Sequence, residues 1–314
     1  MSRPGEFELI DLISRRFPPE EGIVGIGDDC AIIPQNAGME TLVSTDMLVE
    51  GVHFLREDIP AFDLGWKSAA VNISDIAAMG GRPVASFLSI AIPEDVSGEY
   101  LMAFIDGYKA LSDKFGCRLL GGDTTSSKDG LCISVTVYGE CPRGKAVRRS
   151  GAKPGDLVCV TGTLGDSAAG LKVILDAPGA ERSELEEELV RRHYRPLPRV
   201  AEGIALAGIP VSAMMDISDG IASDLRHILK ASSAGGRIDC AALPLSEQIR
   251  KISSLRGYDP VRLALEGGED YELLFTVAPD VPVNVEHTVI GVITEGGGLK
   301  WTGREDDFMG FRHF

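Results

Sequence analysis

The stretch ISVTVYGECPRGKAVRRSGAKPGDLVCV, residues 133–160, decides how this chain is built. Its opening alternates Ile133, Val135 and Val137 with Ser134, Thr136 and Tyr138, the period of a strand with one covered face. Its close belongs to a second apolar, strand-like run at 156–161. Between the two, prolines and glycines punctuate five basic residues, Arg143, Lys145, Arg148, Arg149 and Lys153. That composition marks a join, so the spacing predicts a boundary near 140–154, with one domain over 1–142 and another over 143–314.

Strand and helix signals mix on both sides of the join. Leu101, Phe104, Ile105, Tyr108, Leu111 and Phe115 recur at helical spacing, and Gly116 follows as a stop. A second helix is predicted from Leu64 to Met79, ended by Gly80 and Gly81. Further strands are predicted at 41–45, 84–92, 117–121, 272–278 and 287–293, and further helices at 165–176, 184–193, 199–207 and 221–231. The order shows neither strict βαβ alternation nor a repeat. The fold class is therefore α/β in the mixed, α+β sense, without a doubly wound parallel sheet.

A chain of 314 residues with 44% hydrophobic content can supply a core for each of two domains. Lys plus Arg is 31 against 47 Asp plus Glu, a net charge of -16, which argues against nucleic acid or anionic lipid as a partner. The opening MSRPGEFELIDLI carries acids where a signal peptide needs an apolar core. The longest apolar stretches, such as VASFLSIAI at 84–92, are too short to span a bilayer. A cytoplasmic location with no membrane association is expected. Cys30, Cys117, Cys132, Cys141, Cys159 and Cys240 are widely spaced with no CxxC pair, which reads as reduced thiols.

Six acidic stretches recur beside glycines or apolar runs: GIGDD at 25–29, STD at 44–46, NISD at 72–75, GGD at 121–123, DISDG at 216–220 and GGED at 267–270. Taken singly, an Asp in a GD or SD pair is ordinarily a helix cap or an Asx turn, and Ser218 or Asp219 could cap the helix that follows. Asp75 resists that explanation, because it lies inside a predicted helix on the same face as Asn72. Asp46 and Asp123 each end an apolar run, from which a side chain can reach a cleft. Two carboxylates ~4 Å apart repel by about 4 kcal/mol at an effective dielectric near 20, so several converging in one cleft need cations. Mg²⁺ suits this, since it takes one or two carboxylates together with phosphate oxygens and water.

Other nucleotide sites find no support. GxxxxGK[ST] is absent, GIGDDC lacks the third glycine of a dinucleotide fingerprint, and HExxH, GxSxG and the calcium loop are missing. A nucleotide held through Mg²⁺ ions on Asp side chains remains, and its chemistry is phosphoryl transfer. The basic join is ordinarily a solvated linker. Beside a bound polyphosphate, however, a guanidinium grips the outward oxygens, which makes Arg149 a candidate phosphate ligand.

GIGDDCAII, STDMLVEGVHF, AVNISDIAAMG, GGDTT, RRSGAKPGD, VTGTLGDSAAGL, DISDG and GGEDYEL, in this order, resemble the thiamine-monophosphate kinases of the PurM-like ATP-binding superfamily. The resemblance runs from Gly5 to Phe314. It implies a PurM-like two-domain architecture whose first domain pairs with its twin as a homodimer in a β-barrel. It also implies several Mg²⁺ ions, with ATP and thiamine monophosphate as substrates. Position by position, it implies metal ligation by Asp29, Ser44, Thr45, Asp46, Asp75, Asp123, Asp216 and Asp219. ATP contacts fall on Gly122, Asp123, Arg149 and Ser218, and acceptor contacts on His53, Glu269 and Phe311. Some relatives carry Tyr or Trp at the last position, so here only stacking is implied. His193, His227, His287 and His313 read as surface or packing residues.

The acceptor in that reading is a phosphate monoester with a second pKa near 6, already anionic at neutral pH, so no catalytic general base is assigned. Direct in-line transfer without a phosphoenzyme follows, with inversion at the γ-phosphorus. Two alternatives come with it. Sister enzymes of the superfamily are ATP-dependent synthases, some resembling chains with a reactive Cys in an amino-terminal loop or at the carboxyl end, whereas no Cys precedes Cys30 or follows Cys240 here. The other is a non-catalytic divalent-cation scaffold.

Overall fold

The structure, a computed structural model, describes residues 12–17 and 36–311. The chain divides into two compact units, one of residues 1–76 and 81–144, the other of 77–80 and 145–314.

In the first unit, β1 (Met39–Val49), β2 (Arg82–Ile92), β3 (Arg118–Ser126) and β4 (Cys132–Pro142) form a sheet in the order β1-β4-β2-β3. β4 pairs antiparallel with both β1 and β2. β2 and β3 pair in parallel, as the crossover through α2 (Gly98–Phe115) requires. The sequence's own stop works as expected: Gly116 caps α2 in the left-handed region at φ 64°. α1 (Ala61–Ala78) packs on α2 at near-backbone contact. A Cβ on Gly65 would lie 1.9 Å from the Phe104 carbonyl oxygen, and one on Gly107 would lie 1.8 Å from that of Phe62. Leu64, Ile73, Phe104, Leu111 and Ile133 fill the core. The opposite face carries Val43 and Met47, 65% and 54% exposed, with Thr45 between them.

In the second unit six strands run in the order β10-β7-β9-β5-β8-β6. They are β5 (Leu157–Val160), β6 (Val211–Asp216), β7 (Gly235–Asp239), β8 (Leu273–Val277), β9 (Thr288–Thr294) and β10 (Leu299–Thr302), all antiparallel except the β7–β10 pair. Both faces are covered, so β8 is buried throughout. Leu274 joins one core with Val158, Met215 and Leu225, while Leu273, Phe275 and Val277 join another with Cys159 and Met214. The helices are α3 (Asp166–Asp176), α4 (Glu184–Tyr194), α5 (Val200–Ala207), α6 (Ile221–Ser232), α7 (Glu247–Arg256) and α8 (Pro260–Glu266). The mixed α/β class is as expected. Among the described residues no helix is long and apolar enough to cross a membrane, and the described cysteines are free thiols.

Candidate active site

β1 and α1 build the first cluster. Ser44 and Asp46 lie on one face of β1, two residues apart, as strand alternation dictates. The Ser44 hydroxyl donates to Asp75 Oδ2, and the Asp46 backbone N–H donates to Asn72 Oδ1 at 3.2 Å. Asn72, wholly buried, is oriented by its own Nδ2 donating to the Ser68 carbonyl oxygen at 3.2 Å. Burial, followed by the charge of Asp75 and a hydrogen bond shared with it, pushes the Asp46 carboxyl up to about 6. The result is a cation-seeking set of hard oxygens: two mutually repelling carboxylates and a hydroxyl. The Thr45 hydroxyl lies on the other face, against Val135 O at 3.1 Å and Thr136 Oγ1 at 3.0 Å, so only its main chain adjoins the cluster.

Asp46 and Asp123 lie within strands, not at their ends: β1 continues through Met47, Leu48 and Val49, and β3 through Thr124, Thr125 and Ser126. Asp123, exposed, pairs in register with Ser89. Three strand spacings of about 4.8 Å separate the edges β1 and β3, so Asp123 stands about 14 Å across the sheet from Asp46. Gly122 next to it has φ 154°, and a Cβ there would lie 1.8 Å from the Leu88 carbonyl oxygen. In the turn after β1, His53 Nδ1 accepts the Val49 N–H at 3.0 Å, which puts the proton of the neutral ring on Nε2. Asp29 lies outside the described residues.

The second unit gathers the remaining candidates more tightly. Asp216 ends β6, buried, and the DISDG turn leads into α6. The N-cap of α6 is Gly220, without a side-chain cap, so neither Ser218 nor Asp219 serves as one. Instead the Asp219 N–H donates to Asp224 Oδ2 at 3.2 Å. Asp224 is 1% exposed, and burial, then the charges of Asp216 and Asp219, hold its carboxyl well above the usual range. The following GGED segment lies along this turn: the Glu269 N–H donates to Ser218 O at 2.8 Å and the Tyr271 N–H to Ile217 O at 2.9 Å. Gly268 permits that approach, since a Cβ there would lie 2.1 Å from Ser218 O. From the other side the Phe311 N–H donates to Asp219 O at 3.0 Å, leaving the Phe311 ring half exposed. The tail is anchored by Phe308, fully buried, edge-on to Trp301 at 5.1 Å and beneath the Arg262 guanidinium at 5.2 Å.

Thus Ser218, Asp219, Glu269 and Phe311 are joined through main-chain hydrogen bonds, with Asp216 beside them. Arg149 is exposed in a loop held to β6 by the Met214 N–H donating to Arg148 O at 2.9 Å. A cavity of 520 Å³ lies elsewhere in this unit, lined by Thr161, Arg199, Glu202 and His287, and none of the candidate residues lines it. Among the described residues no group of three or more His, Cys, Asp or Glu is placed to hold a metal by itself.

Sequence reasoning missed two residues here. Asp224 reads as an ordinary acid in a helix first turn. His193 reads as a surface or packing residue; it is buried, as packing requires, and its Nδ1 also lies 3.2 Å from Glu269 Oε2. The only signal for it was its place four residues after Leu189 on the apolar face of α4.

Comparison with known proteins resolves the family. The model of the AIR synthase related protein N-terminal domain matches residues 27–141, and that of the C-terminal domain matches 153–302. The thiamine-monophosphate kinase of Salmonella typhimurium is 45% identical over 99% of this chain and 98% of its own length. The chain belongs to the thiamine-monophosphate kinase family. The family member from Aquifex aeolicus is 39% identical over 99% of this chain and 98% of its own. The structure of AaThiL complexed with AMPPCP and TMP superposes with a TM-score of 0.84 at 38% identity, covering 99% of this chain and 97% of that one.

Proposed function

We propose that this enzyme, a kinase, transfers the γ-phosphoryl group of ATP to thiamine monophosphate, giving ADP and thiamine diphosphate. Full-length similarity to thiamine-monophosphate kinases carries the reading, and the relative's complex with AMPPCP and TMP supports the two substrates. Incubation with ATP, Mg²⁺ and thiamine monophosphate tests it: thiamine diphosphate should form, and its absence would refute the assignment.

The residues fit Mg²⁺. Ser44, Asp46 and Asp75 offer hard oxygens whose mutual repulsion a divalent cation relieves, and Asp216 with Asp219 offers the same beside the buried Asp224. We assign the ligands as these residues with Asp29, Thr45 and Asp123. Bound Mg²⁺ screens the charge on the carboxylates and on the phosphate oxygens. The chain's own groups do the rest. Gly122 lets main chain approach the nucleotide beside Asp123, Ser218 and Arg149 bind phosphate oxygens, and the His53 Nε2–H donates to the acceptor. Glu269 faces the cationic thiazolium and Phe311 stacks on the acceptor. The acceptor arrives deprotonated, so alignment and charge screening replace a general base, and a chiral γ-phosphorus should emerge inverted. Retention would indicate a phosphoenzyme.

The first domain, 1–142, is the ATP- and Mg-binding dimerisation domain in this reading, and 143–314 is its C-terminal companion. Two features support a homodimeric barrel: the edge strand β1 presents exposed Val43 and Met47, and Asp123 stands about 14 Å from Asp46 within one sheet, where a second copy could complete the set. Sedimentation over a range of concentrations checks this, and a persistent monomer counts against it. The free thiols support a cytoplasmic setting.

A further inference from the structure

Glu269 occupies an unusual place in the backbone. It and Tyr271 both adopt left-handed φ, 60° and 51°, on either side of Asp270. Non-glycine residues in this region are strained and persist only where surrounding contacts enforce them. Those contacts are visible. The Asp270 carboxylate accepts the Gly165 N–H at 2.8 Å at the start of α3, and the main-chain N–H groups of Glu269 and Tyr271 are tied to the turn after β6. The zigzag sends Glu269 toward a histidine from a different helix.

That histidine is placed by a helix crossing. A Cβ on Gly170 of α3 would lie 2.2 Å from the Leu189 carbonyl oxygen of α4, so the two helices touch backbone to backbone. Ser167 precedes Gly170 by three residues and His193 follows Leu189 by four, so both fall on the touching faces. Ser167 Oγ lies 3.0 Å from His193 Nδ1, and Glu269 Oε2 lies 3.2 Å from the same nitrogen. The His193 side chain is 5% exposed and that of Glu269 25%. One end of the carboxylate is therefore held from within the fold while part of it reaches solvent. With the ring proton on Nδ1, that N–H is shared by two acceptors, the Glu269 carboxylate and the Ser167 hydroxyl oxygen.

We propose that His193 is a positioning residue for the phosphate acceptor: its Nδ1–H holds the Glu269 carboxylate at the orientation in which it meets the acceptor's cationic ring. This rests on the reading of Glu269 as the contact for a thiazolium cation. A hydrogen bond to a charged group contributes about 1.5–3 kcal/mol, which corresponds to roughly 10- to 100-fold in affinity.

The test compares His193→Ala and His193→Asn, because the Asn side-chain amide can present an N–H near the Nδ1 position. In steady-state assays His193→Ala should raise KM for thiamine monophosphate about 10- to 100-fold with KM for ATP unchanged, and His193→Asn should recover most of the loss. In a Glu269→Ala background the His193→Ala effect on the acceptor should vanish. Binding of an uncharged thiophene isostere of thiamine monophosphate should be the same in parent and His193→Ala, a readout that stands even for a variant with impaired turnover. A merely structural role predicts parallel losses for both substrates and for the isostere, with no recovery in Asn. That outcome, or an acceptor KM within twofold of the parent in a folded His193→Ala, overturns the proposal. If the parent makes no thiamine diphosphate, the functional reading itself has failed; if the parent is active and His193→Ala behaves like it, only the role of His193 has.

Discussion

Replacing Asp46 with Asn should stabilise the metal-free protein while abolishing phosphoryl transfer. The Asp46 carboxyl titrates at about 6 in the folded chain against 3.8 for an unperturbed Asp, raised by burial and then by Asp75. The folded state therefore binds a proton more tightly than the unfolded one. That contribution favours folding at low pH, is lost as pH rises from about 4 through about 6, and stays lost above it. That difference sets a ceiling of about 3 kcal/mol, and solvent access to this half-buried group brings it to roughly 1.5 kcal/mol. Asn carries no charge, and its amide can donate to Asp75 in place of the shared proton. Thermal unfolding in EDTA at pH 7.5 should show Asp46→Asn about 3–6 °C above the parent, with the gap closing toward pH 4.5. Added Mg²⁺ should raise the parent more than the variant. A variant no more stable than the parent at pH 7.5, or a gap independent of pH, refutes the reasoning. Retained turnover refutes the ligand assignment.

Gly122→Ala should raise KM for ATP at least tenfold and lower the melting temperature, because the added Cβ meets Leu88 main chain at 1.8 Å. Phe308→Ala should cost about 3–5 kcal/mol and raise KM for the acceptor more than that for ATP, since Phe308 anchors the tail bearing Phe311; Phe308→Leu should keep most of both. Asp224→Asn keeps an acceptor for the Asp219 N–H while removing a carboxyl whose ionisation burial, Asp216 and Asp219 oppose. Urea unfolding in EDTA at pH 7.5 should therefore find it more stable than the parent, and Asp224→Ala about 1–3 kcal/mol less stable than Asp224→Asn.

Elements with a clean period were legible in the chain. The helix over Leu101 to Phe115 and the strand alternating around Val135 both form where their patterns put them. The segments that escaped notice have physical reasons to. α8 is two turns long, α7 buries little beyond Ile249 and Ile252, and β7 opens on two glycines that carry no side chain to reveal a face. β6 reads VSAMMD, short of β-branched residues, and is a strand because β8 pairs with it. The site divides in the same way. Ser44, Asp46 and Asp75 could be related by strand and helix periods, whereas the pairing of His193 with Glu269 depends on a helix crossing and two left-handed residues that no local pattern announces.

Both units carry the same kind of internal conflict. Asp46 with Asp75, and Asp224 with Asp216 and Asp219, are carboxylates whose proximity and burial disfavour ionisation. The main chain in each cluster is nevertheless tied down, through the Asp46 N–H to Asn72 Oδ1 in one case and the Asp219 N–H to Asp224 Oδ2 in the other. A simple amide substitution would relieve either cluster, so stability alone does not account for them. A cation store would explain the carboxylates. It would not explain why Glu269 and Tyr271 are held in left-handed backbone next to the same turn, why a buried histidine meets Glu269, or why a fully buried Phe308 tethers the half-exposed Phe311 to Asp219. In the proposed reading those features serve an organic cation with an aromatic ring, and their convergence on the Ser218–Asp219 turn favours a kinase for such an acceptor over a scaffold that merely collects metal.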